Sequence, residues 1–425
     1  MKKALLSLLL CGLPSAAQSV AGDWELTMVQ FGESNHNRVR FEVDGDKLTG
    51  AGPGGSKIEG KITGQKLEFT VRQGERLIGS LSGTVEPAGI GGEGRFFDNP
   101  IRWTARRPAV RAGGPRVHDF APKEFHRVFS ALIPPVLRIF PGDTVRTWAV
   151  DAGGRDAQGV TRSMGGNPQT GPFYIEGAMP GDTLVVKLNR VRLNRDSAGS
   201  GRGIVGNALT PGYLMNLKRV ENFDSNWKLD RERGIAMLAK PTERLKNYTV
   251  PLRPMLGCVA VAPPSRSGVI STGDSGGSIG GNMDYNQIRE GATVYLPVNQ
   301  PGALLFVGDG HAAEGDGELT GDALETSMDI EFTVEVRRRQ SIGGPRAEDG
   351  EYIMAIGIAG SLDDALRAAT TAMARWLETD YQLNSAEVAI VLGFSIRYDV
   401  ADLVGTPVSI VAKVPKATLA QLGQP

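Results

Sequence analysis

Short runs of alternating polar and apolar residues, separated by glycine turns, constrain the fold of the N-terminal quarter of this chain. The runs comprise residues 23–28, 38–43, 66–71, 76–81 and 101–105. Because successive side chains of a strand point to opposite faces, such runs predict antiparallel strands with one face in water. We therefore expect residues 18–107 to form a small antiparallel β-barrel or curled sheet.

The first seventeen residues have the pattern of an export signal. Lys2 and Lys3 precede an apolar run over residues 4–10, and small residues occupy positions 15–17. This pattern predicts cleavage before Gln18 and a periplasmic or secreted protein. Cys11 leaves lipidation open, although Leu10 stands where a lipidation site normally has a small residue. No later stretch approaches the ~18 apolar residues that a membrane span needs.

The overall charge is balanced, with 47 Lys and Arg against 47 Asp and Glu. No global field would therefore attract nucleic acid or an anionic membrane surface, and a small neutral molecule is the expected partner. If the signal is removed, Cys258 is the single remaining thiol. It lies in an apolar run, so we interpret it as a small buried side chain.

Residues 108–116 contain two prolines and two glycines and form the expected linker to a second domain over residues 117–425. Pro141-Gly-Asp143 and Pro180-Gly-Asp182 each place a Pro-Gly turn before an alternating strand. These turns predict a β-sandwich of jelly-roll character rather than a parallel α/β sheet. The fold class is thus mainly β (α+β).

A few helices are expected near the C-terminus. Residues 361–377 begin with a Ser361 cap and carry an apolar stripe that we expect to face the core. A shorter helix is expected over residues 384–391, and a closing strand over residues 407–414. The stripe consists of Leu362, Leu366, Ala369, Met373 and Trp376 or Leu377.

Residues 306–318 are the part of the chain richest in chemical groups, with one His, four acidic residues and four Gly in thirteen positions. His311 with nearby carboxylates offers the ligand types of Zn²⁺ or a similar divalent ion. An all-oxygen set would suit Ca²⁺ instead. The same residues are also typical of solvated turns, so the segment alone leaves both interpretations open.

Four motifs occur in an order and at spacings that resemble the acetamidase/formamidase family. They are Gly171 to Asp182, Gly280-Gly-Asn-Met-Asp284, Tyr295-Leu-Pro297 and Gly308 to Glu318, and the resemblance covers residues 117–414. The resemblance implies hydrolysis of a short linear amide to a carboxylate and ammonia. It also implies a β-rich scaffold that forms dimers or larger homo-oligomers.

The same resemblance suggests a metal site. Carried over by position, it implies Asp284, His311 and Glu318 as ligands, with Asp151 as a further candidate. Zn²⁺ is expected rather than Ca²⁺ because of the imidazole ligand. Asp309 and Asp316 are expected to form turns.

The catalytic candidates are His311 and the two carboxylates of Glu176 and Glu314, one of which would act as general base on water. Glu314 stands where the family commonly has Gln, which adds a charge beside the expected site. Glycine backbones would approach the developing oxyanion. The residues expected to contact substrate are Asn282, Gly281 and Gly310.

Three further interpretations remain open. Gly22-Asp-Trp-Glu-Leu26 and Trp103-Thr-Ala-Arg106 resemble lipocalin-like modules, which leaves the N-terminal module as either a ligand cup or an assembly module. Gly273-Asp-Ser-Gly-Gly277 resembles the nucleophile segment of trypsin-like proteases, but the accompanying His and Asp patterns are missing. The alternative to an enzyme is a periplasmic protein that binds a metal or a sugar, or assists assembly.

Overall fold

Eight antiparallel strands close on themselves to form the barrel that the N-terminal alternation predicts. The computed structural model describes residues 20–218 and 220–423, so the expected signal and Cys11 lie outside the described residues. The chain divides into two compact units between Val110 and Arg111. The barrel strands are β1 (Gly22–Gln30), β2 (Glu33–Asp44), β3 (Lys47–Ala51), β4 (Lys57–Thr63), β5 (Lys66–Gln73), β6 (Arg76–Glu86), β7 (Gly89–Phe96) and β8 (Asn99–Arg106).

The barrel interior contains the apolar half of each alternating run. Phe69 packs edge-on against Phe41 and Trp103, with ring centroids 5.6 and 5.5 Å apart. Strands β3, β4 and β7 were not among the predicted runs. Strand β7 is rich in glycine, and its Gly92 lies so close to the Ser82 carbonyl that an added Cβ would stand 1.9 Å from that oxygen.

The second unit is built from four sheets, which contain nine, five, four and two strands. Its strands are β9 (Val117–Asp119), β10 (Val128–Ser130), β11 (Leu137–Ile139), β12 (Thr144–Ala149), β13 (Thr170–Ile175), β14 (Thr183–Leu193), β15 (Ser197–Gly199), β16 (Asn226–Asp230), β17 (Ile235–Leu238), β18 (Thr249–Pro251), β19 (Met255–Ala260), β20 (Val269–Ser271), β21 (Gly280–Asn282), β22 (Thr293–Pro297), β23 (Leu305–His311), β24 (Met328–Arg337), β25 (Arg346–Glu348), β26 (Tyr352–Ala359), β27 (Arg397–Asp402) and β28 (Val408–Pro415).

The two larger sheets pack face to face around one core, which fits the expected sandwich. Phe332 of the nine-stranded sheet contacts Phe173 of the five-stranded sheet, with ring centroids 5.2 Å apart. The order of the five-stranded sheet is β11-β13-β23-β19-β21. This order places β19, β21 and β23 side by side, and these strands carry most of the polar motifs described above.

The helices are α1 (Pro211–Asn216), α2 (Leu362–Asp380), α3 (Ser385–Ser395) and α4 (Lys416–Leu419). Ser361 caps α2 as expected, and Asn384 caps α3. The predicted stripe of α2 is partly wrong, because Leu362 and Leu366 are exposed and Ala365 is buried. No described helix is long and apolar enough to cross a membrane.

The helix turns its small residues inward because it approaches β26 closely. A Cβ on Gly357 would stand 2.1 Å from the carbonyl oxygen of Ala365 and 2.4 Å from the amide nitrogen of Ala369. Large leucine side chains have no room at such a contact. The predicted Pro-Gly turns are present, since Gly142 and Gly181 have φ of 89° and 91°, in the left-handed region that position i+2 of a type II turn requires.

Candidate metal centre

Strand β23 brings the first residues of the segment 306–318 into the interior. All seven of its residues are buried, and Asp309 and His311 project from the same face because they are two apart. The neighbouring strand β19 pairs Leu256 with Gly310 and Cys258 with Gly308. Gly257 therefore lies opposite Asp309.

The absence of a side chain at Gly257 leaves space for three functional groups. A Cβ there would stand 2.3 Å from Asp284 Oδ1, 2.7 Å from Asp309 Oδ2 and 3.0 Å from His311 Cε1. The Gly257 carbonyl also accepts hydrogen bonds from the amides of Met283 and Asp284. Gly257 therefore allows the carboxylates of Asp284 and Asp309 and the imidazole of His311 to converge, and no sequence motif had indicated it.

His311 lies among three carboxylates. Its Nδ1 is 2.7 Å from Glu314 Oε2, and its Nε2 is 3.1 Å from Glu325 Oε1 and 3.5 Å from Asp309 Oδ1. Glu325 reaches the site because its segment pairs with β23, so that the Thr326 amide donates to the Gly310 carbonyl. Both ring nitrogens of His311 thus face acidic oxygens.

Two amide side chains position the aspartates. Asn167 Nδ2 donates to Asp309 Oδ2 at 3.0 Å and to Asn282 Oδ1 at 2.9 Å. Asn282 Nδ2 in turn donates to Asp284 Oδ2 at 2.5 Å. This chain of hydrogen bonds connects the loop before β13 with strands β21 and β23.

Three acidic residues of this region have left-handed backbone conformations. Asp284, Asp309 and Glu318 have φ of 40°, 58° and 45°. Such conformations cost free energy in residues other than glycine and persist only where the surrounding structure imposes them. Their concentration here indicates a site whose geometry is maintained at some cost in stability.

Burial favours the protonated forms of several carboxyls. It raises the pKa of Glu314 and Glu325 to about 7 and that of Glu318 to about 9. It also raises the pKa of Asp284 well above its ordinary value. Burial alone would lower the pKa of His311, but the nearby carboxylates of Glu325 and Asp309 outweigh that effect and raise it.

The donor set fits a divalent cation. Among the described residues, eight buried side-chain nitrogen or oxygen atoms have no hydrogen bond, and five of these belong to this cluster. Buried carboxylates require protonation, paired charges or a metal ion. The five atoms are Asp284 Oδ1, Asp309 Oδ1, His311 Nε2, Glu314 Oε1 and Glu325 Oε2.

Three groups of side chains place their ligand atoms within 4.8 Å of one another. Two groups share His311, and the third joins Asp284 with Glu318 and Asp402. Asp402, at the end of β27, is buried, and burial raises its pKa to about 6. The groups are Asp284–His311–Glu314, Asp309–His311–Glu325 and Asp284–Glu318–Asp402.

Two sequence-predicted residues lie outside the cluster. Asp151 Oδ2 forms an ion pair with Arg195 at 2.8 Å, and its Oδ1 accepts a hydrogen bond from the Arg155 backbone amide. Both carboxylate oxygens of Asp151 therefore already have protein partners. Glu176 pairs with Arg138 at 2.6 Å. Strands β13 and β23 are antiparallel, so Glu176 follows the end of β13 beside the start of β23, about 20 Å along the strand from His311. The structure therefore does not bring Asp151, the predicted further ligand, or Glu176, a predicted general base, together with the cluster.

The residues expected to contact substrate have structural roles. Gly310 faces the opposite side of β23 from His311, since an added Cβ would stand 2.9 Å from Met328 Cβ. Gly281 has φ of 105° and lies against Gly276. A Cβ added to Gly281 would stand 2.7 Å from the Gly276 nitrogen. Asn282 orients Asp284 as described above. Because neighbouring residues of a strand face opposite sides, Gly310 cannot face the side of β23 that bears His311.

The structure also changes the interpretation of other residues. Asp309 was expected in a turn, but it is a buried strand residue of the cluster, whereas Asp316 is an exposed turn residue. The spacing of Asp309 and His311 was the signal that could have identified it. Cys258 is buried as expected. Ser275, in the protease-like motif, donates its hydroxyl hydrogen to the Asn282 carbonyl.

Comparisons with known proteins agree with the motifs. Residues 272–417 match the model of the Acetamidase/Formamidase family. The crystal structure of an acetamidase from Yersinia enterocolitica has a TM-score of 0.62 at 29% identity, and covers 74% of this chain and 96% of its own. An acetamidase structure from Bacillus halodurans has a TM-score of 0.60 at 25% identity, and covers 72% of this chain and 99% of its own.

Curated relatives match over shorter stretches. A formamidase from Methylophilus methylotrophus is 26% identical over 246 residues, which cover 46% of this chain and 60% of that protein. A relative from Schizosaccharomyces pombe is 28% identical over 191 residues, which cover 36% of this chain and 47% of its own length. The chain thus spans about half the length of the curated relatives it matches. Residues 272–417 thus match the acetamidase/formamidase family model, and about three quarters of the chain is similar in fold to solved acetamidases.

Proposed function

We propose that this protein hydrolyses short linear amides to a carboxylate and ammonia with the assistance of a divalent metal ion. The observation that carries the proposal is the buried cluster of His311 and carboxylates, most of which lies within the residues that match the family model. Formamidase and acetamidase are the names that similar proteins carry. This chemistry agrees with the small neutral partner expected from the balanced charge.

Asp284, Asp309, His311 and Glu325 would hold the metal ion, because each presents a buried polar atom without a hydrogen bond. We favour Zn²⁺ over Ca²⁺, since an imidazole nitrogen suits zinc and Ca²⁺ prefers oxygen ligands alone. When bound, such an ion polarises an amide carbonyl and lowers the pKa of water toward ~7. Glu318 and Asp402 form a second group of acidic side chains beside Asp284.

We assign Glu314 as general base in this chain, a role that the Gln common at this position in the family could not fill. Its Oε2 forms a hydrogen bond with His311 Nδ1. This bond orients the ring, as carboxylates behind a metal-binding histidine do in other metal sites. Its Oε1 has no hydrogen bond, and burial raises the pKa of the carboxyl to about 7, close to the optimum for proton exchange at neutral pH.

The proton movements then balance. Water attacks the carbonyl carbon and gives a proton to Glu314, and the carboxyl returns it to the nitrogen as the carbon–nitrogen bond breaks. Ammonia leaves, and the acid product ionises at neutral pH. Asn167 and Asn282 keep the two aspartates in place throughout.

The surroundings of this reaction are further proposals. We infer from residues 1–17 that the protein is exported to the periplasm or secreted. We also infer that it forms a homo-oligomer, as the family resemblance implies. Neither inference affects the assignment of the catalytic groups.

The function is tested by measuring ammonia released from formamide, acetamide and longer linear amides, with and without a chelator. We expect turnover that falls on chelation and returns when Zn²⁺ is added. The Asp284→Asn and His311→Ala variants should lose both bound metal and turnover. Unchanged metal content and unchanged turnover in both variants would falsify the proposed site.

The alternative is a protein that binds a metal or a sugar without catalysis. It would be supported if the purified protein held stoichiometric metal but released no ammonia from any amide of the series. Ammonia release that requires His311 would exclude it.

A further inference from the structure

The barrel of the first unit contains an apolar cavity of about 240 Å³. Its lining residues come from six of the eight strands and include Met28, Val39 and Ile58. An eight-stranded barrel has an interior that is either filled by its own side chains or left just wide enough for one small ligand. This barrel therefore has room for a ligand that its own side chains do not fill.

One polar side chain in this cavity lacks a partner. Ser56 lines the cavity, is 2% exposed, and its hydroxyl has no hydrogen bond among the described residues. A buried hydroxyl without a partner destabilises the folded state. Such a group is explained if a bound molecule supplies the missing hydrogen bond.

Phe97 lies where the cavity meets the surface. It lines the cavity, yet it is 46% exposed, and its φ of 47° is unusual for an aromatic residue. Its ring packs edge-on against Phe96, with centroids 4.8 Å apart, and the guanidinium of Arg76 lies 5.6 Å from its centroid. This φ belongs to the two-residue turn that Phe97 and Asp98 form between β7 and β8. We take Phe97 as the rim of the entrance because its half-exposed ring also lines the cavity.

We propose that the barrel binds a small neutral molecule that is mainly hydrocarbon and carries one hydroxyl or carbonyl group, which hydrogen-bonds with Ser56. No described residue that lines the cavity is charged, so an ionised group would be buried without a counter-charge. Water alone is a poor occupant, because each buried water needs two to four polar partners and the described lining offers two polar side chains, Ser56 and Gln73.

The volume sets the size of the ligand. An engineered apolar cavity of roughly 150 Å³ accepts benzene, so a cavity of this volume suits about ten non-hydrogen atoms. The ligand class is thus a substituted phenol or an alcohol of similar size. This site is separate from the proposed amide-hydrolysing site and does not depend on that function.

The test uses two probes of equal shape, 4-ethylphenol and 4-ethyltoluene, which differ by a hydroxyl in place of a methyl group. Binding to the full chain is measured by ligand-observed NMR and calorimetry. We expect 4-ethylphenol to bind once per chain. The Ser56→Ala variant should weaken 4-ethylphenol about fivefold to tenfold and leave 4-ethyltoluene unchanged, because only the phenol loses a hydrogen bond.

Two further variants locate the binding. Val71→Phe places a larger ring in the cavity and should abolish binding of both probes, while His311→Ala should leave both affinities unchanged. Thermal melts identify any variant that fails to fold. If Val71→Phe does not fold, the ratio of the two probe affinities in Ser56→Ala still shows whether Ser56 binds the hydroxyl of the ligand. The proposal is overturned if neither probe binds, if Ser56→Ala weakens both equally, or if folded Val71→Phe still binds either probe.

Discussion

Glu314 is the residue whose proposed role can be tested most directly. The Glu314→Gln variant keeps an oxygen that can accept a hydrogen bond from His311 Nδ1 but cannot take up a proton at neutral pH. We expect kcat to fall by roughly 10²–10⁴, the usual contribution of a general base, with the metal retained. Steady-state kinetics and metal analysis of the same preparation measure both quantities.

Glu176→Gln is the matched control for that variant. Glu176 pairs with Arg138 at the far end of β23, so its loss should leave kcat within about threefold of the original, in keeping with a group that does not touch substrate. Should Glu176→Gln lose as much activity as Glu314→Gln, the general base would not be Glu314 alone.

Gly257 sets the spacing of the cluster. In Gly257→Ala the new Cβ would stand 2.3 Å from Asp284 Oδ1, far inside van der Waals contact, and the carboxylate must move. We expect metal affinity to fall at least tenfold, as it does when groups that orient ligands are lost. Gly199→Ala is the control, because nothing lies within 4 Å of an added Cβ there. Equal metal content in the two variants would argue against the role of Gly257.

The sequence identified part of this site for a clear reason. His311 and Glu318 share one short segment, and Asp284 lies in a glycine-rich motif, so local density of chemical groups was sufficient to select them. Glu325 and Asn167 enter through pairing with other segments, which leaves no local pattern. The motif that contains Glu176 did not indicate that this residue lies away from the cluster, because the direction of β13 relative to β23 cannot be read from a motif.

At the scale of elements, Asp143 stabilises the turn between β11 and β12. Burial alone would raise the pKa of this carboxyl, but four groups outweigh it and lower the pKa below its ordinary value of 3.8. Its two oxygens accept hydrogen bonds from backbone and side chains on both sides of the turn. The four groups are the backbone amides of Phe140 and Arg116, the His118 ring and the Arg111 guanidinium.

A carboxyl with a lowered folded-state pKa stabilises the protein above its unfolded pKa, and the contribution is lost as pH falls through the folded value. We expect Asp143→Asn to cost about 2 kcal/mol at pH 7, the order of a hydrogen-bonded charge. The difference in melting temperature should shrink as pH falls below about 4. Asp119→Asn, a largely exposed carboxyl, should change little at either pH. A difference for Asp143→Asn that stays constant down to pH 2 would contradict this account.

Elements differed in how well the sequence predicted them. Strands with clear alternation of polar and apolar residues, such as β5, were predicted because that alternation directly reflects which side chains are buried. Strand β7 was missed because Gly91, Gly92 and Gly94 carry no side chain to reveal a period. The stripe of α2 was partly wrong because close approach to β26, rather than hydrophobicity, decides which residues face inward.

At the scale of the whole molecule, the metal centre and the second unit should depend on each other. Carboxylates from the segment after β21, from β23 and from the segment before β24 converge in its interior, and without a cation they must be protonated or repel one another. The folded state would therefore bind the ion far more tightly than the unfolded chain does.

Metal removal should lower the melting temperature. A ligand present at 100 times its dissociation constant stabilises the folded state by about 2.7 kcal/mol, which corresponds to a shift of about 5 °C for a domain of this size. We expect dialysis against a chelator to cause that loss and added Zn²⁺ to reverse it. Differential scanning calorimetry of the full chain measures the shift. His311→Ala serves as the control, because a variant that cannot hold the ion should show the same melting temperature with and without chelator. If instead that variant were stabilised by Zn²⁺ as much as the original protein, the ion would bind elsewhere in the chain.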